Sequence, residues 1–213
     1  MVFTNRQHAA DRLAEALAAY KGRNPLILAI PRGAVAMGRH LAHELGGELD
    51  VVLVRKLRAP FNPEFALGSI DESGWSYIAD YAESAGGTAA YLEQEKQVQL
   101  DTLRARRAQY TPLRPPIDPA DRIVIVVDDG LATGATMIAA LHGLRQRKPA
   151  RLVCAVPVAP PDTLARIRPY ADEVVCLSAP ENFRAVGQFY ADFPQVEDDE
   201  VIEILRGVGG GKR

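Results

Sequence analysis

The sequence predicts a single α/β domain, in which a parallel sheet is flanked by helices on both faces. Two observations lead to this fold class. Short apolar runs alternate with segments of helical length, and runs such as VVLV and IVIVV carry no polar residue at alternate positions. Strands that are covered on both faces have this composition, whereas half-exposed strands alternate. The length of 213 residues suits one such domain, so we expect residues 1–213 to form one unit.

The first part of the chain supplies two strands and two helices. A helix is predicted at 7–20, where Leu13 and Leu17 share a face and Gly22 follows. The next elements are an apolar strand at 25–30, a helix at 34–46 that ends at a pair of glycines, and a second buried strand at 49–57. A helix between two strands is the connection that parallel pairing requires.

The segment 58–87 interrupts this alternation. It is rich in Pro, Gly and Ser, and it contains a candidate strand pair around residues 72–74. Two interpretations are open. The segment is either a flexible lid that excludes water from a reaction or an ordinary structural hairpin.

The alternation resumes after residue 87. The predicted elements are a helix at 88–110, a proline-rich linker at 111–121, a strand at 122–127, a helix at 135–147, a strand at 150–159, a short helix at 161–168 and a strand at 172–177. The last segment, 178–205, is irregular and ends in a helix from residue 196. Because ligands of parallel sheets bind at the carboxyl ends of the strands, the loops after residues 30, 54 and 127 form the candidate site.

The composition excludes several classes of protein. The formal net charge of -2 gives no reason to expect nucleic acid as a partner. No apolar run is long enough to cross a membrane, and the N-terminal segment lacks the apolar stretch of a signal peptide. Cys154 and Cys176 lie in apolar runs, which is typical of buried thiols in a reducing compartment. We therefore expect a cytoplasmic protein that acts on small molecules.

The stretch IVIVVDDGLATGAT, residues 123–136, joins a buried strand to two carboxylates and a loop rich in Gly and Thr. The loop opens a helix, whose first backbone N–H groups are unpaired and attract an anion. Its glycines allow tight turns, and Thr133 and Thr136 add hydroxyl donors. Two carboxylates would repel a bare phosphate, so Asp128 and Asp129 are expected to accept hydrogen bonds from hydroxyl groups of the same ligand. A sugar phosphate meets both requirements.

Simpler interpretations explain less of this stretch. An aspartate that merely caps the helix accounts for one of the two acids. A dinucleotide site is disfavoured because the pattern G-x-G-x-x-G is absent, and a P-loop is excluded because G-K-[ST] is absent.

The same stretch resembles the signature of the type I phosphoribosyltransferases, in which apolar residues, two acids and a T-G-x-T loop follow one another. The resemblance implies phosphoribosyl diphosphate (PRPP) as a substrate, with Asp128 and Asp129 on the ribose hydroxyls. Gly130 stands where the family more often has an aliphatic residue, which predicts a looser loop. The residues that the resemblance assigns to the 5′-phosphate are Ala132, Thr133, Gly134, Ala135 and Thr136.

The segment PRGAV resembles the diphosphate loop of that family, which implies that Pro31 and Gly33 contact the substrate and that the loop holds a strained peptide. A non-proline cis bond costs roughly 3–4 kcal/mol and persists where function needs it. Gly33 would permit unusual backbone angles, and Arg32 would pair with diphosphate through its planar fork, unless it caps a surface turn. Related enzymes for orotate and adenine carry a pair like Arg55 and Lys56 on the diphosphate side. Arg32, Arg55 and Lys56 are therefore the predicted catalytic cations.

The segment APENFRAVGQFYADF resembles the hood of hypoxanthine-guanine phosphoribosyltransferases. The resemblance implies that Phe183 stacks on an acceptor ring and that Asp192 lies near Mg²⁺. The V-G pair comes one residue later than in those enzymes, and the segment near Val158 has no Lys of the kind with which they recognise the base. The residues therefore do not support purine salvage.

A closer resemblance is to bacterial proteins described as predicted phosphoribosyltransferases, and it extends over nearly the full length. It implies a transferase of nucleotide metabolism that binds Mg²⁺–PRPP and passes the phosphoribosyl group to a nitrogen of a small-molecule acceptor. The resemblance is also compatible with a homodimer. Two alternatives stay open: a non-catalytic sensor of PRPP or nucleotides on the same fold, and a hydrolase or phosphorylase for a ribose phosphate. The retained cations favour the enzyme, and the lack of a basic segment disfavours a DNA-binding regulator.

Overall fold

The computed structural model describes residues 1–112 and 116–208, and for Glu64 and Val208 it describes the backbone alone. Part of the expected proline-rich linker, residues 113–115, lies outside the described residues. The strands are β1 (Leu26–Ala29), β2 (Glu48–Val51), β3 (Val54–Ala59), β4 (Asn62–Asp71), β5 (Ser76–Ile78), β6 (Ile123–Val127), β7 (Arg151–Val158) and β8 (Glu173–Ser178). The α-helices are α1 (Arg6–Ala16), α2 (Ala34–Leu45), α3 (Ala89–Tyr110), α4 (Ala135–Gln146), α5 (Pro161–Ile167) and α6 (Asp198–Val208).

A parallel sheet with the strand order β2-β1-β6-β7-β8 forms the centre of the domain. The chain runs from β1 to β2 in one direction and from β6 to β7 in the other, so the order reverses between β1 and β6. Ligands of open parallel sheets bind in the crevice at such a reversal, beyond the carboxyl ends of the two strands. The predicted α/β class with helices on both faces is confirmed, and the reversal brings the loops after β1 and β6 side by side.

The buried strands separate two apolar cores. Alternate residues of β1 point to opposite sides: Ile27 and Ala29 join the core with α1 and α2, and Leu26 and Leu28 join the core with α4. A strand that buries both faces has no polar position, which explains the uninterrupted apolar runs. Helix boundaries agree with the expected ones except near the N-terminus, where α1 ends at Ala16 and a 3₁₀ turn takes residues 18–20.

The prediction of one strand at 49–57 is wrong. The parallel strand β2 ends at Val51, and residues 54–59 leave that sheet to pair antiparallel with β4. The apolar run VVLV gave no sign of the break because its side chains are buried in both settings: Val51 and Leu53 join one core and Val52 joins the other. Arg55 and Lys56 therefore lie on a strand of a second sheet, and not in a loop at the end of a parallel strand.

The second sheet has the order β3-β4-β5 and covers the crevice side of the domain. It contains the expected hairpin around residues 72–74, in which the amide of Asp71 donates to the carbonyl of Trp75 at 3.0 Å. Trp75 stacks on His142 of α4 with 3.6 Å between ring centroids, which holds the hairpin to the parallel half. The hairpin interpretation is thus confirmed for residues 62–78, and movement of 58–87 as a lid stays a prediction. Within the described part of the chain, no helix has the length and apolar character needed to span a membrane.

Candidate functional site

A cleft at the switch point contains two adjacent cavities of about 400 and 310 Å³. Lys56, Asp128 and Thr136 line both cavities, so the two lie next to each other. The first is also lined by Ile30, Pro31, Arg32, Gly33, Val54, Arg55, Arg58, Pro63, Arg106 and Asp129. The second is also lined by Phe65, Ala66, Tyr81, Gly130, Leu131, Ala132, Thr133, Gly134 and Val186. The structure therefore brings the three predicted loops together.

The acid pair follows β6 at its carboxyl end, where Asp128 lines both cavities and Asp129 lines the first. The backbone N–H of Asp129 donates to a carboxylate oxygen of Asp128 at 2.9 Å. Burial raises the pKa of Asp128 well above its usual value, and the neighbouring charge of Asp129 raises it further. Burial also raises the pKa of Asp129, against the opposing effect of Arg6. Burial and the neighbouring charge disfavour the ionised pair, so a cation or the hydroxyl donors of a ligand would stabilise it.

Arg6 is a site residue that sequence reasoning missed. Its Nε lies 2.8 Å from Oδ2 of Asp129, and the side chains are only 13% and 15% exposed. The same guanidinium donates to the carbonyl of Pro194 at 2.7 Å and lies over the ring of Phe193, 3.8 Å from its centroid. Tyr190 donates its hydroxyl to the carbonyl of Asp129 at 2.7 Å. No local pattern marks this contact, because Arg6 and Asp129 are separated by 123 residues.

The loop after β1 has the expected cis peptide bond, between Pro31 and Arg32. The expected role of Gly33 is corrected, because its φ of -58° and ψ of -33° are ordinary right-handed helical values. A Cβ at this position would lie 2.1 Å from Oδ2 of Asp129 and 3.1 Å from Nε of Arg6. Gly33 is therefore required by the close approach of the loop to this ion pair, and not by its backbone angles.

The first cavity is lined by five cations, of which the sequence predicted Arg32, Arg55 and Lys56. Arg58 and Arg106 are the two that were missed. Arg106 comes from α3, and no pattern around it in the sequence separates it from the exposed Arg104 of the same helix. Burial lowers the pKa of Arg55, and the charges of Arg106 and Arg58 lower it further, which shows how closely the cations are grouped.

The grouped cations are held by polar partners around the rim. Nε of Arg55 donates to Gln99 at 2.9 Å, and Nε of Arg58 donates to Glu95 at 3.0 Å. Arg32 lies 3.8 Å from a carboxylate oxygen of Asp198, the first residue of α6. Among the residues that line the first cavity, five cations outnumber two carboxylates, which suits a ligand with several negative charges.

The glycine- and threonine-rich loop lines the second cavity, as predicted, except for Ala135, which is buried at the start of α4. Gly134 has a positive φ of 76°, and the hydroxyl of Thr163 donates to the carbonyl of Ala132 at 2.6 Å. Gly130 does not loosen the loop as expected. Its φ is 157°, and a Cβ there would lie 2.5 Å from Cγ1 of Val186, so the loop packs tightly against the C-terminal segment.

Two predicted residues lie away from the described cavities. Phe183 stacks on Phe189 with 5.3 Å between ring centroids and lines neither cavity. Asp192 is exposed, and its backbone N–H donates to the carbonyl of Thr4 at 2.9 Å. Across residues 1–112 and 116–208, no three His, Cys, Asp or Glu side chains come together as metal ligands. The roles of Phe183 and Asp192 stay predictions.

Known proteins resemble this chain over most of its length. The family model of the phosphoribosyl transferase domain matches residues 3–194. Two Mycobacterium tuberculosis proteins, each named "Putative phosphoribosyl transferase", are 42% identical over 207 residues, which make up 96% of this chain and 46% of theirs. The chain thus spans about half the length of the curated relatives it matches. The crystal structure of TT1426 from Thermus thermophilus is 48% identical, with a TM-score of 0.81, over 96% of this chain and 98% of that one.

Proposed function

The chain belongs to the phosphoribosyl transferase family, and from that premise we propose that it binds PRPP with Mg²⁺ and transfers the phosphoribosyl group to a nitrogen of a small, nucleobase-like acceptor. Diphosphate is the other product. The observation that carries this proposal is the set of groups that line the cleft: five cations and two carboxylates line the first cavity, and a phosphate-type loop at a helix N-terminus lines the second. These groups suit the diphosphate, the ribose hydroxyls and the 5′-phosphate of one molecule of PRPP.

Each part of the cleft has a role in this reaction. The loop of residues 132–136 takes the 5′-phosphate at the start of α4, where unpaired N–H groups and the helix dipole favour an anion. Asp128 and Asp129 accept hydrogen bonds from the ribose hydroxyls. Lys56 borders both cavities, so it lies where the bond between ribose and diphosphate would break.

Catalysis in this proposal is mainly electrostatic. Negative charge builds up on the departing diphosphate, and cations that bind it more strongly in the transition state than in bound PRPP raise the rate. Mg²⁺ prefers substrate phosphates and water to an all-protein cage, and on PRPP it would offset the charge of the diphosphate. Asp128 lines both cavities and is the carboxylate that would face the ion. Arg32, Arg55 and Lys56 then draw the leaving group away from the ribose.

The test is the release of diphosphate from Mg²⁺–PRPP with a panel of purine, pyrimidine and pyridine bases. An enzyme releases diphosphate with at least one acceptor, and Lys56→Ala should lower kcat by about 100-fold or more, the loss seen when a preorganised charge contact is removed. The affinity for ribose 5-phosphate, measured by calorimetry, should change far less in that variant.

The alternatives give different results in the same experiment. Release of diphosphate without any acceptor would indicate a hydrolase. Binding of PRPP without turnover on the whole panel would indicate the sensor. Failure to bind PRPP at all would refute the proposal. We keep a cytoplasmic location and a homodimer as further expectations from the sequence and the resemblance.

A further inference from the structure

Two aromatic side chains in the wall of the second cavity are not used by the reaction described above. Phe65 lies on β4 and Tyr81 follows β5, and their ring centroids are 5.4 Å apart at an angle of 48°. The rings are fixed in part by a hydrogen bond of 2.9 Å, in which the hydroxyl of Tyr81 donates to the carbonyl of Ala66. Both residues are large and apolar, yet they stay 44% and 43% exposed. Neither therefore serves mainly to fill the core.

The chemistry of the proposed transfer defines the side from which the acceptor must enter. In a direct displacement at a sugar carbon, the nucleophile approaches the face opposite the departing group. The cations that receive diphosphate line the first cavity, and among them Lys56 alone also lines the second. An acceptor that enters opposite the diphosphate therefore meets the second cavity, on the far side of Asp128.

The second cavity offers more than a phosphate site. Its volume of about 310 Å³ is at the lower end of the range for small-molecule pockets, and the loop of residues 130–136 forms only one of its walls. The rest of the lining combines the charged side chains of Lys56 and Asp128 with an apolar part that consists of Phe65, Tyr81, Ala66 and Val186. Flat apolar walls next to a sugar site suit a planar ring, because every aromatic heterocycle has a π-face that stacks on an aromatic side chain.

We propose that Phe65 and Tyr81 form the stacking surface for the acceptor, and that the acceptor is a planar aromatic heterocycle. This inference rests on the proposed function and extends it to the acceptor side. It replaces Phe183, the residue that the family resemblance selects, since Phe183 is stacked on Phe189 and lines neither cavity. The aromatic stacking surface is then supplied by Phe65 and Tyr81, and the C-terminal segment contributes Val186 to the same cavity.

The experiment compares ribose 5-phosphate with nucleoside 5′-monophosphates, which carry the same sugar phosphate and add a ring. Binding is measured by calorimetry for a panel of purine, pyrimidine and pyridine nucleotides. In the wild type, at least one nucleotide should bind roughly 10-fold or more tightly than ribose 5-phosphate, because stacking of one base is worth about 1–3 kcal/mol. Phe65→Ala should remove most of that advantage and leave the affinity for ribose 5-phosphate unchanged. Tyr81→Leu tests the second ring independently.

Two phenylalanines provide matched controls. Phe61 lies in the turn between β3 and β4 of the same sheet, is 93% exposed and lines neither cavity, so Phe61→Ala should keep the nucleotide advantage. Phe183→Ala should keep it as well. The inference is overturned when no nucleotide binds more tightly than ribose 5-phosphate, or when the advantage survives in both Phe65→Ala and Tyr81→Leu. If the wild type binds neither ribose 5-phosphate nor PRPP, the proposed function itself is refuted. That result differs from the two outcomes above, in which ribose 5-phosphate still binds.

Discussion

Replacing Gly33 by alanine tests how the diphosphate loop is seated on the ion pair between Arg6 and Asp129. The backbone of Gly33 has right-handed helical angles, so the alanine would adopt the same conformation without strain. Its methyl group, however, would lie 2.1 Å from Oδ2 of Asp129, where ordinary contacts begin at 3.4 Å. The carboxylate, or the loop, must therefore move by more than an ångström.

The size of the effect follows from the two interactions that this movement disturbs. Overpacking of a well-packed site costs about 1–3 kcal/mol. A surface ion pair contributes about 0–1 kcal/mol to stability. The ion pair of 2.8 Å between Arg6 and Asp129 is more buried than that, so weakening it adds to the loss of stability. We expect a total loss of about 2–4 kcal/mol in the free energy of unfolding. Because Asp129 is displaced from the ribose position, PRPP affinity should fall by about 10-fold or more.

The assay combines urea unfolding with calorimetric titration of Mg²⁺–PRPP. Gly207 provides the matched control, since it lies in α6 and a Cβ there has no atom within 4 Å. Gly207→Ala should leave PRPP binding unchanged and leave stability unchanged or raise it by up to about 1 kcal/mol, because alanine favours a helix over glycine. If Gly33→Ala unfolds at the same urea concentration as the wild type and binds PRPP equally well, the close approach of loop and ion pair is not required.

Three further predictions address the acids, the missed cations and the phosphate loop. Burial and the adjacent Asp129 raise the pKa of Asp128, so the folded protein takes up this proton at a higher pH than the unfolded chain, whose Asp pKa is about 3.9. The stability that this proton contributes is lost as pH rises above about 4. The free energy of unfolding of Asp128→Asn should therefore increase relative to that of the wild type as pH rises. A difference in urea unfolding that does not change with pH would contradict the raised pKa. In calorimetry, Arg106→Gln should weaken the binding of diphosphate and leave the affinity for ribose 5-phosphate unchanged. The side chain of Arg104 is 70% exposed on the same helix, so Arg104→Gln should change neither affinity. Equal losses of affinity for both ligands in Arg106→Gln would argue against the place of Arg106 in the first cavity. A crystal soaked in phosphate should show the ion against the backbone of residues 133–136, and an empty loop beside a filled second site would contradict that assignment.

The parts of the fold that sequence predicted well are those in which a local pattern has one physical outcome. Alternation of apolar runs with helical segments requires a parallel sheet, and the five strands of that sheet lie near the expected positions. The acid pair and the following loop come together because they are adjacent in sequence. The break inside VVLV could not be predicted, since Val51 and Leu53 are buried whether the run forms one strand or joins two sheets.

The contacts that complete the cleft join residues far apart in the chain, and no local pattern marks them. Arg6 reaches Asp129 across 123 residues, and Arg106 reaches the cavity from a helix whose Arg104 is exposed and whose Arg107 pairs with Glu72. Sequence could name Gly33 as special but gave the wrong reason, because its partner atoms belong to β6 and α1.

Sequence alone determined the fold class, the phosphate-type loop and the acid pair, because strand and helix periodicity and a contiguous motif depend on neighbouring residues. Tertiary structure alone decided which cations share the first cavity, which glycine is required for packing, and which aromatic rings border the second. Those features depend on where the antiparallel hairpin, α1 and α3 pack against the parallel sheet, and that packing is the sum of many long-range contacts that single positions do not encode.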